Sequence, residues 1–166
     1  YFRVSLQQDS SSLEKLVDLP FPPGNIAVSS TGRVFFTLHP EGRPPMQVCG
    51  KNMLTQQFVN KKLIFLLELN REAGVSVPFP SREYQSSLTT VLSIRIAPDA
   101  SGRELLWILD YGHHAFTTPK IVAIDIETKE EVHSHEFSSD VAPLLSMLND
   151  FQIDSAKQVI YIADAG

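Results

Sequence analysis

A pattern of two short strands joined by a polar turn occurs three times in this chain. The three copies span residues 25–38, 93–110 and 150–164. Each copy opens with apolar residues two positions apart, which is the side-chain period of a strand with one buried face. Each closes with a hydrophobic run. We therefore predict that each copy is a β-hairpin.

The spacing of the three copies indicates a repeat architecture. Their first apolar residues, Ile26, Ile94 and Phe151, lie 68 and 57 residues apart. A propeller blade repeats at about 40 to 50 residues, and loop insertions lengthen that distance. Two further strands fit between the second and third hairpins, at 120–125 and 131–137. The sequence therefore predicts an all-β fold, a β-propeller made of four-stranded blades.

The length of the chain limits the number of blades. Propellers close with about four to eight blades, whereas 166 residues supply two blades and the first hairpin of a third. We therefore expect residues 1–166 to form a single incomplete propeller domain. The missing blades of the same protein are then its expected partners.

Residues 49–66 interrupt the first repeat. Without these 18 residues, Met46 to Val48 would continue into Leu67 to Leu69 as one alternating strand, and the first repeat distance would fall from 68 to 50. We interpret 49–66 as an insertion within the first blade. It is either a surface loop or translated sequence that a normal transcript would lack.

Composition argues against two classes of partner. The net charge of −5 is unsuited to a nucleic-acid surface. No apolar run reaches the roughly 18 residues of a membrane-spanning helix. Cys49 is the only cysteine, so no internal disulfide can form.

Three groups of residues resemble the signatures of the major royal jelly protein and Yellow family. They are PPGNIAV at 22–28, LWILDYG at 106–112 followed by PKIV at 119–122, and LND at 148–150 with YIAD at 161–164. The resemblance implies a six-bladed propeller, of which this chain would supply about two and a half blades. It also implies an extracellular, secreted protein, whose central tunnel binds small aromatic amines in some members of the family.

The position of a ligand site follows from propeller geometry. The innermost strand of each blade lines the axial channel, so polar residues at the starts of these strands converge. Asn25, Ser93, Asn149 and Asp150 occupy such starts, and we predict that they contact a small-molecule ligand. An amine would be recognised there by carbonyl or carboxylate acceptors and an aromatic wall. Alternatively, Asn25, Asn149 and Asp150 only turn the chain and cap backbone donors.

Two other functions remain open. The gluconolactonase and regucalcin-like hydrolases hold a divalent metal on the propeller axis, and Asn149 falls where that group has a metal-binding Asn. However, Asn25 and Ser93 stand where it has Glu and Asn, and a hard cation needs the lost carboxylate. We therefore expect no metal and no cofactor, and no catalytic residue can be assigned. The third function is a non-catalytic interaction scaffold.

Two aspartates have an expected structural role. Asp110 and Asp164 each end a strand. Carboxylates in this position commonly accept hydrogen bonds from backbone N–H groups of the following turn. We expect both to stabilise turns rather than to bind a ligand.

Overall fold

The computed structural model describes residues 2–4, 13–19, 21–38, 66–70 and 75–166. Its strands are β1 (Phe2–Val4), β2 (Leu13–Lys15), β3 (Pro23–Val28), β4 (Val34–Leu38), β5 (Leu66–Asn70), β6 (Val75–Pro78), β7 (Val91–Pro98), β8 (Glu104–Asp110), β9 (Lys120–Asp125), β10 (Glu131–Glu136), β11 (Leu148–Asp154) and β12 (Val159–Asp164). Two four-residue helical segments, Tyr84–Ser87 and Gly112–Ala115, lie between strands. No helix in the described part of the chain has the length and apolar character needed to cross a membrane.

The strands form antiparallel sheets with the topology of propeller blades. The first blade has the order β3-β4-β5-β6 and the second β7-β8-β9-β10, so consecutive strands are always neighbours. Strands β11 and β12 form a third hairpin, and β1 pairs with β2. Ile26, Ile94 and Phe151 therefore lie in three different sheets. The predicted fold class is confirmed: the described residues form a partial β-propeller.

The first hairpins of both blades close through the same turn. Ser29 N donates to Arg33 O at 2.9 Å, and Asp99 N donates to Arg103 O at 2.9 Å. In each turn the fourth residue is a glycine with a left-handed backbone, Gly32 with φ +83° and Gly102 with φ +86°. Glycine adopts this conformation without a Cβ penalty, so the local sequence specifies the turn.

The central strands of the second blade are apolar on both faces, as expected for a sheet packed between two others. Leu106 and Ile108 of β8 lie in a core with Phe35 of the first blade. Leu109 lies in a different core, with Phe151 of β11. Because successive side chains of a strand point to opposite faces, this single strand supports both interfaces.

Polar contacts at the turn end of the sheets fix the first blade against the second. Arg33 donates from Nη1 to the backbone carbonyl oxygen of Ile126 at 2.6 Å and to Glu127 at 3.1 Å. It also forms a two-pronged ion pair with Glu68 of its own blade, at 2.7 and 3.1 Å. The backbone N–H of Ser30 donates to the carboxylate of Glu104 at 2.9 Å.

The interpretation of 49–66 as an insertion lies outside the described residues, apart from Leu66. This residue is the first of β5, is fully buried, and pairs with Thr37 of β4. Leu66 is therefore part of the first blade.

Candidate ligand site at the innermost strands

Three strands from three sheets lie side by side at the candidate site. Strands β3 and β7 are the edge strands with which their four-stranded sheets begin, and β7 contacts both β3 and β11. Residues near the starts of these strands can therefore interact across sheet boundaries. This is the arrangement that the propeller prediction required.

Arg95 of β7 contacts two of the four residues that the sequence predicted for the site, and a third joins them through Asp150. Its Nη1 lies 3.0 Å from Oδ1 of Asn25, and its Nη2 lies 2.6 Å from Oδ1 of Asp150. The hydroxyl of Ser93 donates to the same Asp150 oxygen at 2.6 Å. Asn25, Ser93 and Asp150, one from each innermost strand, thus belong to a single hydrogen-bonded cluster, which we call the axial cluster together with Arg95.

Asn25 is held between the first two blades. Its backbone N–H donates to the hydroxyl of Thr37 at 2.9 Å, and that hydroxyl donates to the carbonyl of Leu92 at 3.2 Å. Its amide oxygen also accepts the backbone N–H of Ile94 at 3.4 Å. Asn25 therefore has a structural role at this interface in addition to its contact with Arg95.

Asp150 is oriented through one of its two carboxylate oxygens. Oδ1 accepts the donors from Ser93 and Arg95 and the backbone N–H of Phe151 at 2.8 Å. None of the described residues donates a hydrogen bond to Oδ2, and the side chain is 48% exposed. Three donors thus fix the carboxylate while its second oxygen stays open to a ligand.

Asn149 lies outside the axial cluster. The pairing of β11 with β12 shifts register between Leu148 and Asp150, which makes Asn149 the extra residue of a β-bulge. Its side chain is exposed, and no described residue forms a hydrogen bond with it. Of the four predicted residues, it is the one that the fold does not bring to the others.

Sequence reasoning missed Arg95. It is the only charged residue of β7, a strand that is otherwise mainly apolar and packed between two sheets. A guanidinium in such a strand requires a charged or polar partner, because an isolated buried charge is costly. The charged residue in an apolar strand is visible in the sequence. Its partner Asp150, however, lies 55 residues further along the chain, so the strand pattern alone does not identify it.

Asp110 anchors the entry to β7. Its carboxylate accepts the backbone N–H groups of Thr89 at 2.6 Å, Thr90 at 2.8 Å and Gly112 at 3.0 Å. The side chain of Asp110 is buried, so these bonds are shielded from water. The expected turn-stabilising role of Asp110 is confirmed, and it extends to the segment that leads to Ser93.

Asp164 has the corresponding position in the third hairpin. It accepts the backbone N–H groups of Met147 at 2.8 Å and Gly166 at 2.9 Å, together with the hydroxyl of Ser146. Its expected role is confirmed as well. Unlike Asp110, Asp164 is exposed.

The bonds to Asp164 predict part of the acid sensitivity of the fold. The Ser146 hydroxyl and then the Gly166 and Met147 N–H groups hold the pKa of Asp164 below its ordinary value. Since the folded state binds the proton less readily than the unfolded state, this stabilisation is complete above about pH 4 and is lost as the pH falls through the lowered pKa.

Denaturant unfolding at a series of acidic pH values checks this expectation. Asp164→Asn is expected to show a shallower loss of unfolding free energy below about pH 4 than the unsubstituted protein. Identical pH profiles would show that the bonds to Asp164 contribute nothing to acid sensitivity.

The loop after β8 carries aromatic side chains at the same end as the axial cluster. Asp110 pairs with Val91, so this loop begins beside the start of β7. The rings of His113 and Phe116 are 5.9 Å apart, and Phe116 is 64% exposed. The carbonyl of His114 accepts the N–H of Leu145 at 2.9 Å, which ties this loop to the one before β11.

The described residues contain no cluster of side chains suited to binding a metal ion. Within them, no group of three or more His, Cys, Asp or Glu residues could hold a metal ion. In the axial cluster, Asp150 is the single carboxylate, and Arg95 already occupies its Oδ1.

A protein-family model matches the second half of the chain. Residues 91–166 match the family model described as Major royal jelly protein. This stretch contains Ser93, Arg95, Asp110, Asp150 and Asp164. No curated protein matches the chain.

Proposed function

We propose that this chain, whose residues 91–166 match the major royal jelly protein family model, is part of a secreted β-propeller that binds a small amine near its axis. Members of the family are typically secreted, which supports the extracellular location. The proposed ligand contacts are those predicted from the sequence, Asn25, Ser93, Asn149 and Asp150. Detection of the protein in the medium rather than in the cells that produce it would test secretion.

The half-exposed carboxylate of Asp150 is the observation that supports this function. An ammonium group carries several donors and no acceptor, so it needs acceptor oxygens that the fold leaves unused. Oδ2 of Asp150 is such an oxygen, and the bonds from Ser93 and Arg95 fix its position. A fixed acceptor loses little conformational entropy on binding.

The aromatic loop beside β7 is the proposed contact for the apolar part of the ligand. Phe116 exposes most of its ring at the same end of the sheets as the axial cluster. Aromatic rings attract the apolar part of an amine by surface burial and its cation by their negative faces. An aromatic amine therefore fits this end of the molecule better than a purely aliphatic one.

Calorimetric titration with phenethylamine tests the proposal. Asp150→Asn is expected to weaken binding by about tenfold or more, because hydrogen bonds to charged groups contribute about 1.5 to 3 kcal/mol. Asp154→Asn is the matched control, since it makes the same substitution in the same strand, where Asp154 pairs with Lys157 at 2.9 Å. Unchanged affinity in Asp150→Asn would contradict the proposed site.

Titration with calcium and zinc tests the alternative that the protein is a metal-dependent lactone hydrolase. Binding of either metal that is lost in Asn149→Ala would favour that alternative. The axial cluster offers less support for it, because its one carboxylate is already paired with a guanidinium.

An interaction scaffold is favoured by a different observation. Phe116, Val141, Leu144 and Leu145 are each between 61% and 64% exposed, and they lie on two loops that hydrogen-bond to each other. Clustered apolar side chains on a surface are typical of protein interaction sites. Binding of neither amine nor metal would favour the scaffold.

A further inference from the structure

We propose that the axial cluster prefers a zwitterion of the α-amino-acid type to the corresponding bare amine, because Arg95 and Asp150 present a cation and an anion side by side. This inference rests on the proposed function, whose site it uses. It adds a second recognition element, a guanidinium that the sequence did not identify as part of the site.

The guanidinium of Arg95 retains unused donors. A guanidinium has five N–H groups. Nη1 donates to Asn25 Oδ1 and to the carbonyl of Ile94, at 3.0 and 2.8 Å, and Nη2 donates to Asp150 Oδ1. The Nε–H group and one N–H of Nη2 have no partner among the described residues. Since the side chain is 25% exposed, a ligand can reach it.

The guanidinium of Arg95 is held in a fixed position. Its central carbon lies 5.8 Å from the centre of the Phe151 ring, and Phe151 is buried. Contacts to Asn25 and Asp150 hold it from two other strands. Arg95 therefore presents its remaining donors in a defined geometry, which suits the planar oxygens of a carboxylate.

The charges of the cluster favour a ligand that carries both an ammonium and a carboxylate over one that carries only an ammonium. Arg95 and Asp150 are in contact at 2.6 Å, so the pair has no net charge. An ammonium at Oδ2 of Asp150 is attracted by the carboxylate but repelled by the neighbouring guanidinium. If the ligand also has a carboxylate, that group meets Arg95 and the repulsion is offset.

The shape of an α-amino acid matches this pair. Its ammonium and carboxylate are joined through a single carbon atom, and the two charges of the axial cluster are likewise adjacent. Each ligand charge can then face the opposite charge of the protein. A ligand with widely separated charges would satisfy only one of them.

Three ligands with the same aromatic ring separate these contributions. Phenylalanine has both charges, phenethylamine lacks the carboxylate, and hydrocinnamate lacks the ammonium. In calorimetric titrations, phenylalanine is expected to bind about tenfold or more tightly than either of the others, the range of one charge-assisted hydrogen bond.

Substitution of Arg95 then identifies the group that reads the carboxylate. In Arg95→Gln, the ratio of phenylalanine to phenethylamine affinity is expected to fall to about one. Arg95→Lys keeps the charge but not the planar fork and is expected to reduce the ratio partly. It also replaces Arg95→Gln if circular dichroism shows that the latter is unfolded.

The outcomes distinguish this inference from the proposed function. Phenethylamine binding as tightly as phenylalanine would overturn the zwitterion preference and leave the amine site standing. An unchanged ratio in both Arg95 variants would also overturn it, since Arg95 would then only hold the strands together. If none of the three ligands binds, the proposed function and this inference both fall.

Discussion

Replacing Asp110 by alanine is expected to lower the free energy of unfolding by about 3 to 5 kcal/mol. The carboxylate is buried and accepts three backbone N–H groups, from Thr89, Thr90 and Gly112. Its removal leaves these donors without an acceptor, and those of Thr90 and Gly112 are buried while that of Thr89 is half-buried. The cost is therefore the desolvation of the unpaired donors as well as the loss of the bonds.

Asp164→Ala provides the control for this prediction. Asp164 occupies the same position of the next repeat and also accepts two backbone N–H groups, but it is exposed. Water can replace the lost acceptor there, so we expect a clearly smaller loss. Guanidinium denaturation of both variants measures the difference. Equal losses would contradict the explanation from burial.

Gly112→Ala is the second substitution with a large expected effect, a loss of about 3 kcal/mol. The backbone of Gly112 has φ +62°, which an alanine adopts only with strain. A Cβ atom would also lie 2.0 Å from the carbonyl oxygen of Thr117, a backbone atom. Because a backbone atom cannot rotate away, the loop after β8 must shift.

Gly102→Ala measures the cost of the left-handed backbone without the crowding of a Cβ atom. Gly102 has φ +86°, but a Cβ atom there has no neighbour within 4 Å. The variant is expected to lose only about 1 kcal/mol, the cost of the left-handed backbone. Thermal unfolding of the two alanine variants checks this comparison. Equal destabilisation would show that contact with Thr117 is unimportant.

Both large effects fall in one short motif that the sequence analysis singled out, LWILDYG at 106–112. The family resemblance drew attention to it, and the structure supplies the physical reason. Asp110 collects backbone donors at the entry of β7, and Gly112 permits the left-handed turn that follows. The motif therefore maintains the fold next to the site.

Local features of the fold were predictable because their causes are local. The strand predicted at 120–125 is β9, Lys120–Asp125, with the same bounds. The predicted strand at 131–137 is β10, Glu131–Glu136, one residue shorter. Alternating side chains and turn residues act over a few positions, so they can be read directly from the order of the amino acids.

Contacts between distant parts of the chain select the polar residues that form the axial cluster. Arg95 meets Asn25, 70 residues earlier, and Asp150, 55 residues later. These contacts depend on which sheets pack side by side, and no local pattern encodes that choice. The register shift in β11 likewise removed Asn149 from the cluster while keeping its neighbour Asp150. Alternation and turn residues were sufficient to predict the three hairpins and the strands β9 and β10, whereas packing between sheets selects the side chains that meet at the site.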